Sequence, residues 1–381
     1  MRLLLTTDTV GGVWTFTREL TQELLSRGHQ IALVSFGRAP SDEQLSWCAG
    51  QEATYDEAFV FAASHVPLEW MQENERAFRE GSEVLLRIAE TFRPDLLHSN
   101  QFCYGALPLE IPKLVTAHSD VLGWAEACRP GGLEPSAWLR RYRALVQIGL
   151  ARANAVAAPT EWMGRALRAH YPGLTELEVI YNGRSPMERT VDVRSRMQAV
   201  TVGRLWDEGK NIAMLRDVTA PMPIIVAGEQ RHESSRSTTE LGAALLIGRQ
   251  TEQELAELFS GSRIYIATSV YEPFGLAPLE AALFGCAVLA NDIPSLREVW
   301  GEGALYFRDT ESLSALLQRL STDGEALARA RERSQARARE FTPQRMADCY
   351  EALYASLILQ NVEAHGNSPI DPFEEFAAHA A

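Results

Sequence analysis

Short apolar runs and longer amphipathic stretches alternate along this chain, stop once, and then start alternating again. No other feature constrains the fold as much. Strands separated by whole helices cannot turn back as hairpins, so they pair in parallel and need helices on both faces of the sheet. In the first series, strand candidates fall at 2–7, 30–36, 95–99, 113–118, 155–158 and 177–181, with helical patterns at about 14–26, 70–92, 137–151 and 162–170. Asn182-Gly183-Arg184-Ser185-Pro186 and the polar stretch 188–196 break the rhythm. The second series has strand candidates at 199–203, 223–227, 243–247, 263–267, 287–291 and 304–307, with helices at about 252–259, 276–284 and 312–320. Two further helices, at about 324–340 and 343–359, close the pattern.

The expectation is an α/β protein of two tandem Rossmann-like domains, at 1–183 and 198–343, joined by a linker at 184–197. The stretch 359–381, with its Gly, Pro and Glu residues, reads as a weakly ordered acidic tail. Ligands are expected at the carboxyl ends of the strands, in a cleft between the domains.

A length of 381 residues suits two domains that each bury a core. A formal net charge of −14 with no Lys/Arg block excludes a nucleic-acid binder. Five scattered cysteines without a C-x-x-C pair exclude a zinc ribbon and a disulfide framework. Only Leu3-Leu4-Leu5 follows Met1-Arg2, far short of a signal-peptide core, so a cytoplasmic protein is expected. The basic stretch Ala137-Trp138-Leu139-Arg140-Arg141-Tyr142-Arg143 reads as a solvated helix face, and membrane association is not expected.

Chemistry concentrates in Tyr271-Glu272-Pro273-Phe274-Gly275-Leu276-Ala277-Pro278-Leu279-Glu280. A strand precedes it, Gly275 makes the turn, and Pro278 falls in the first helical turn, where its missing N–H costs nothing. The free amides of Gly275, Leu276 and Ala277 then form an anion site at the positive end of a helix dipole. Glu272 and Glu280 flank it and are placed to grip hydroxyls on either side of a phosphate. An amphipathic helix with two solvated glutamates is the competing reading. Gly11-Gly12 lacks the spacing of a dinucleotide fingerprint or a P-loop and offers close backbone approach at a helix start, or a plain tight turn. His118 ends a strand, where both a site residue and a satisfied structural histidine are found.

The pair Glu272 and Glu280, with Pro273-Phe274-Gly275-Leu276 between them, resembles the signature of retaining nucleotide-sugar glycosyltransferases of glycosyltransferase family 4. Gly203-Arg204-Leu205-Trp206-Asp207-Glu208-Gly209-Lys210 resembles that family's donor-phosphate loop, with one residue more than usual between arginine and lysine. The resemblance implies the GT-B fold and a last helix, 344–358, that packs back on the first domain. It implies catalytic roles for His118, Glu272, Arg204 and Lys210, and donor contacts from Gly11, Gly12, Gly228, Arg249, Phe274, Gly275, Leu276 and Glu280. Asp120 and Trp124 are candidates for the acceptor side. The implied reaction moves a hexosyl unit from a nucleotide diphosphate, UDP-glucose by default, to the hydroxyl of a saccharide or small molecule. It uses no cofactor and no metal, proceeds by same-face displacement, and relies on domain closure to exclude water. An epimerase of the same fold and a silent sugar-nucleotide binder are the alternatives.

Overall fold

A computed structural model describes residues 1–174, 177–187, 195–230 and 240–364. The chain divides into two compact units, one made of Met1–Gly123, Gly131–Gly183 and the chain from Pro343, the other of Trp124–Pro130 and Arg184–Thr342.

The first unit is built on strands β1 (Arg2–Asp8), β2 (Gln30–Phe36), β3 (Phe59–Ala63), β4 (Leu96–Ser99), β5 (Lys113–Thr116), β6 (Ala155–Ala158) and β7 (Glu178–Val179). They pair in parallel in the order β3-β2-β1-β4-β5-β6-β7. Leu3, Leu4 and Leu5 are all fully buried because alternate side chains enter different layers. Leu3 and Leu5 join a core with Phe16 and Leu20 of helix Gly12–Ser26, and with Met346, Tyr350 and Tyr354 of helix Pro343–Ala364. Leu4 faces Phe78, Leu85 and Phe92 of helix Asn74–Phe92. The strand order reverses between β1 and β4, and their carboxyl ends lead into the Gly11-Gly12 loop and Asn100.

The second unit carries β8 (Ala199–Val202), β9 (Ile224–Ala227), β10 (Leu245–Gly248), β11 (Ile264–Ala267), β12 (Ala287–Asn291) and β13 (Ala304–Phe307). The order is β10-β9-β8-β11-β12-β13, again all parallel. Ile264 and Ile266 point into one core, Tyr265 and Ala267 into the other. Here the reversal lies between β8 and β11, so the loops after Val202 and Ala267 start side by side.

Several elements differ from the sequence reading. Helix Asp42–Tyr55 escapes a periodicity search because it buries only Cys48, although Ser41 and Gln44 form a capping box at its start. Strand β3 is an edge strand with Val60 exposed, and its apolar run is short. Helices Val121–Cys128 and Pro294–Trp300 are short, and the third long helix begins at Asn74 rather than 70. The last helix continues to Ala364, so 359–364 is helical and not tail. The remainder of the expected tail, and 188–194 of the expected linker, lie outside the described residues.

Candidate functional site

In the second unit, strand β11 gives way to a loop that ends at Gly275, where helix Leu276–Leu283 begins. Gly275 has φ 94°, a left-handed value that suits glycine, and an added Cβ would sit 3.0 Å from Pro278 Cγ and 3.3 Å from Glu272 Cγ. No side chain caps this helix start and no acidic residue lies in its first turn. Its amides keep the positive end of the dipole open to an anion.

Glu272 is held from two sides. Lys210 Nζ lies 2.6 Å from Glu272 Oε2, and Ser269 Oγ donates to the same oxygen at 2.9 Å. The loops that carry these residues are stitched together by their backbones: Val270 N donates to Gly209 O at 2.9 Å, and Thr268 Oγ1 donates to Lys210 O at 2.6 Å. The additional residue between Arg204 and Lys210 therefore does not carry the lysine away from Glu272. Arg204 turns onto Asp207, 2.7 Å from Oδ2, and stacks 5.0 Å over the Trp206 ring. Burial would raise the Asp207 pKa, but the Arg204 guanidinium outweighs it, with help from Lys210 and Trp124, and holds it below the usual carboxylate range. Trp124, read from sequence as an acceptor-side candidate, donates from Nε1 to Asp207 Oδ1 at 3.1 Å and packs on Gly209. Its polar edge is thus used to brace the phosphate-loop candidate.

The carboxyl ends of β8, β9 and β10 are drawn together. Gly203 N donates to Ala227 O at 3.0 Å and Gly228 N to Gly248 O at 2.8 Å. A Cβ on Gly228, at φ 150°, would lie 1.8 Å from Gly203 O, so only glycine permits this approach. Arg249 lies on the surface, its side chain 73% exposed, with Glu229 at 3.8 Å. Phe274 is buried and packs edge-on against Phe341, so it supports the loop from beneath.

Glu280 has a partner that the sequence reading passed over. Arg184 Nε lies 2.8 Å from Glu280 Oε1, and its Nη2 bonds Glu252. Read only as part of the linker, Arg184 is in fact 3% exposed at its side chain. An arginine directly after Asn-Gly at the break was the only signal available.

In the first unit, Gly11 takes φ 76° ahead of helix Gly12–Ser26, Asp8 Oδ1 accepts from Val10 N at 2.8 Å, and the space beside Gly11 is open. His118 is half-buried, with Nε2 2.7 Å from Asn100 Oδ1 and the ring 4.5 Å from that of Phe16. Burial pushes its pKa down to about 3. Asp120, an acceptor-side candidate in the sequence, is engaged inside the first unit. It is 2% exposed, and its carboxylate accepts from Tyr142 Oη at 2.8 Å, Tyr171 Oη at 2.7 Å and Gly123 N at 3.0 Å. Burial opposes ionisation, but these bonds and His170 outweigh it and hold the carboxyl below its ordinary range. Asp120 therefore pins the start of helix Val121–Cys128.

Among the described residues no group of three His, Cys, Asp or Glu side chains could hold a metal ion, and no helix is long and apolar enough to cross a membrane.

Two family patterns match the chain, Glycosyltransferase Family 4 over residues 10–186 and Glycosyl transferases group 1 over residues 199–337. Glycogen synthase of Mycobacterium tuberculosis (strain H37Rv) is 25% identical over 383 residues, covering 91% of each chain. Sucrose-phosphate synthase from Thermosynechococcus elongatus superposes with a TM-score of 0.76 at 18% identity, over 94% of this chain and 100% of that one. An Anabaena protein solved in complex with UDP and glucose gives 0.70 at 15% identity, over 93% of this chain and 100% of that one. With one family pattern on each unit and these relatives matching along almost its whole length, the chain belongs to the group 1 glycosyltransferases and has their GT-B fold.

Proposed function

We propose that this glycosyltransferase moves a hexosyl unit from a nucleotide diphosphate to an acceptor hydroxyl, with retention of anomeric configuration and without a metal ion. The observation that carries the reading is the Glu272–Lys210 pair beside an uncapped helix start, with Glu280 held by Arg184 a turn further on. In this reading the amides at Gly275 and Leu276 take diphosphate oxygens. Lys210 spends one of its three donors on Glu272, and Arg204 one of its five on Asp207, so both retain donors for the departing charge. Glu280 offers an oxygen to ribose hydroxyls, Glu272 orients the transferred sugar, and the family resemblance assigns His118 to that sugar as well. UDP-glucose is the first donor to try, since the Anabaena fold neighbour holds UDP and glucose.

Displacement then occurs on one face. The bond from the anomeric carbon to the diphosphate breaks, the acceptor oxygen bonds to that carbon from the same side, and its proton passes to a diphosphate oxygen. Glu272, already tied to Lys210 and Ser269, is an orienting group and not the nucleophile. Glu272→Gln should lower transfer on the order of 10²-fold and trap nothing. Mass spectrometry that finds a glycosyl-enzyme in this variant or the wild type would overturn the mechanism. Thermal-shift titration with UDP-, GDP-, ADP- and dTDP-sugars tests the donor, because a bound donor raises the unfolding temperature by mass action.

A further inference from the structure

Asn100 and His118 follow the carboxyl ends of neighbouring strands β4 and β5. The orientation of the Asn100 amide is settled by its partners. Nδ2 lies 2.6 Å from the Thr6 carbonyl oxygen, which can only accept, and 3.1 Å from Thr17 Oγ1, whose proton goes to Val13 O at 2.8 Å. The Asn100 backbone N–H adds a bond to Thr6 Oγ1 at 2.9 Å. Oδ1 is thereby turned to His118 Nε2, 2.7 Å away, and an amide oxygen carries no proton to give. Nε2 must be the protonated nitrogen. In a neutral imidazole the other nitrogen then carries the lone pair, and Nδ1 of His118 has no hydrogen-bond partner among the described residues.

The surroundings keep the ring neutral. Burial alone accounts for its lowered pKa, with no carboxylate contributing. Of the other groups packed here, Phe16 presents its ring, and His98 is engaged at Nδ1 by Tyr354 Oη at 2.6 Å and at Nε2 by Thr116 Oγ1 at 2.7 Å. His98 is itself held down to about 3, by burial first and by His118 second, so it stands beside His118 as a neutral ring.

We propose that Asn100 is a positioning residue that locks His118 in its Nε2–H form, so that the ring meets the donor sugar as a hydrogen-bond acceptor for a sugar hydroxyl. The proposal rests on the reading that His118 faces the transferred sugar. The lock itself belongs to the free protein and is measurable there.

Long-range ¹H–¹⁵N spectra of the full chain, with the His118 ring assigned by its loss in His118→Gln, should show a protonated Nε2 and an unprotonated Nδ1 from about pH 5 to about pH 8. A proton on Nδ1, or an imidazolium in that range, overturns the lock. Asn100→Asp places a carboxylate on Nε2, which favours the imidazolium and turns Nδ1 into a donor. In that variant UDP-glucose should bind about ten-fold more weakly at about pH 6 and recover by about pH 8, the change expected for one lost hydrogen bond, while UDP, which lacks the sugar, should bind as to the wild type. Equal losses for UDP and UDP-glucose, or no pH dependence, would mark Asn100 as merely structural and overturn the proposal. If His118→Gln leaves UDP-glucose affinity unchanged while the spectra show the Nε2–H form, the placement of His118 on the sugar fails and the lock stands.

Discussion

Arg184→Ala is the substitution with the most to say about the proposed donor contacts. The guanidinium is 3% exposed and lies between Glu280, 11% exposed, and Glu252, 28% exposed. Truncation leaves two carboxylates facing a void with no cation between them. Removing one partner of a buried ion pair costs about 3–5 kcal/mol, and the partial exposure of Glu252 places this case near the lower end, at about 3 kcal/mol. For a unit of this size that corresponds to a fall of roughly 6–12 °C in unfolding temperature. Glu280 also loses the bond that orients it, so UDP should bind about ten-fold more weakly. Arg184→Lys keeps the charge but cannot fork onto both carboxylates, and should fall between alanine and the wild type. Differential scanning calorimetry and a UDP titration on the three proteins decide the matter. If Arg184→Ala melts within about 2 °C of the wild type and binds UDP equally well, Arg184 is not holding Glu280 and the reasoning fails.

Gly228→Ala should be far more damaging than Gly11→Ala, because its Cβ would meet the Gly203 carbonyl oxygen at 1.8 Å whereas the space beside Gly11 is open. Loss of soluble second-unit fold is expected for the first, and only the backbone strain of about 1–2 kcal/mol for the second, both read by thermal melts. His98 and His118 are both held near 3 against an ordinary 6.5, so below about pH 6.5 the unfolded chain takes up protons that the folded chain refuses. Stability should fall as pH drops from about 6.5 toward 3, and urea titrations of His98→Gln should show a shallower fall; an unchanged slope would mean that His98 is not held neutral.

Much of this protein is written locally. The double strand–helix alternation survives in the thirteen strands found among the described residues because burial on two faces forces continuous apolar runs. The candidate anion site at Gly275 is legible because a positive-φ glycine, a proline in the first turn and an uncapped helix start are consequences of neighbouring residues. Where amphipathicity is weak, as in Asp42–Tyr55, or a strand is a short edge, as in β3, the same local rules fall silent.

The tertiary structure decided which polar side chain meets which. Lys210 reaches Glu272 across 62 residues, Arg184 reaches Glu280 across 96, and Asn100 takes its orientation from Thr6 across 94. Asp120 and Trp124 are acceptor-side candidates in sequence, and only the structure shows that their polar atoms meet Tyr142, Tyr171 and Asp207. Periodicity reports the environment of a backbone segment, whereas a hydrogen bond needs two groups within about 3 Å in a fixed orientation. By itself the sequence determined the sheets, the glycine turns and the two glutamates; the packing of distant segments determined which hand holds each glutamate and which nitrogen of His118 bears the proton.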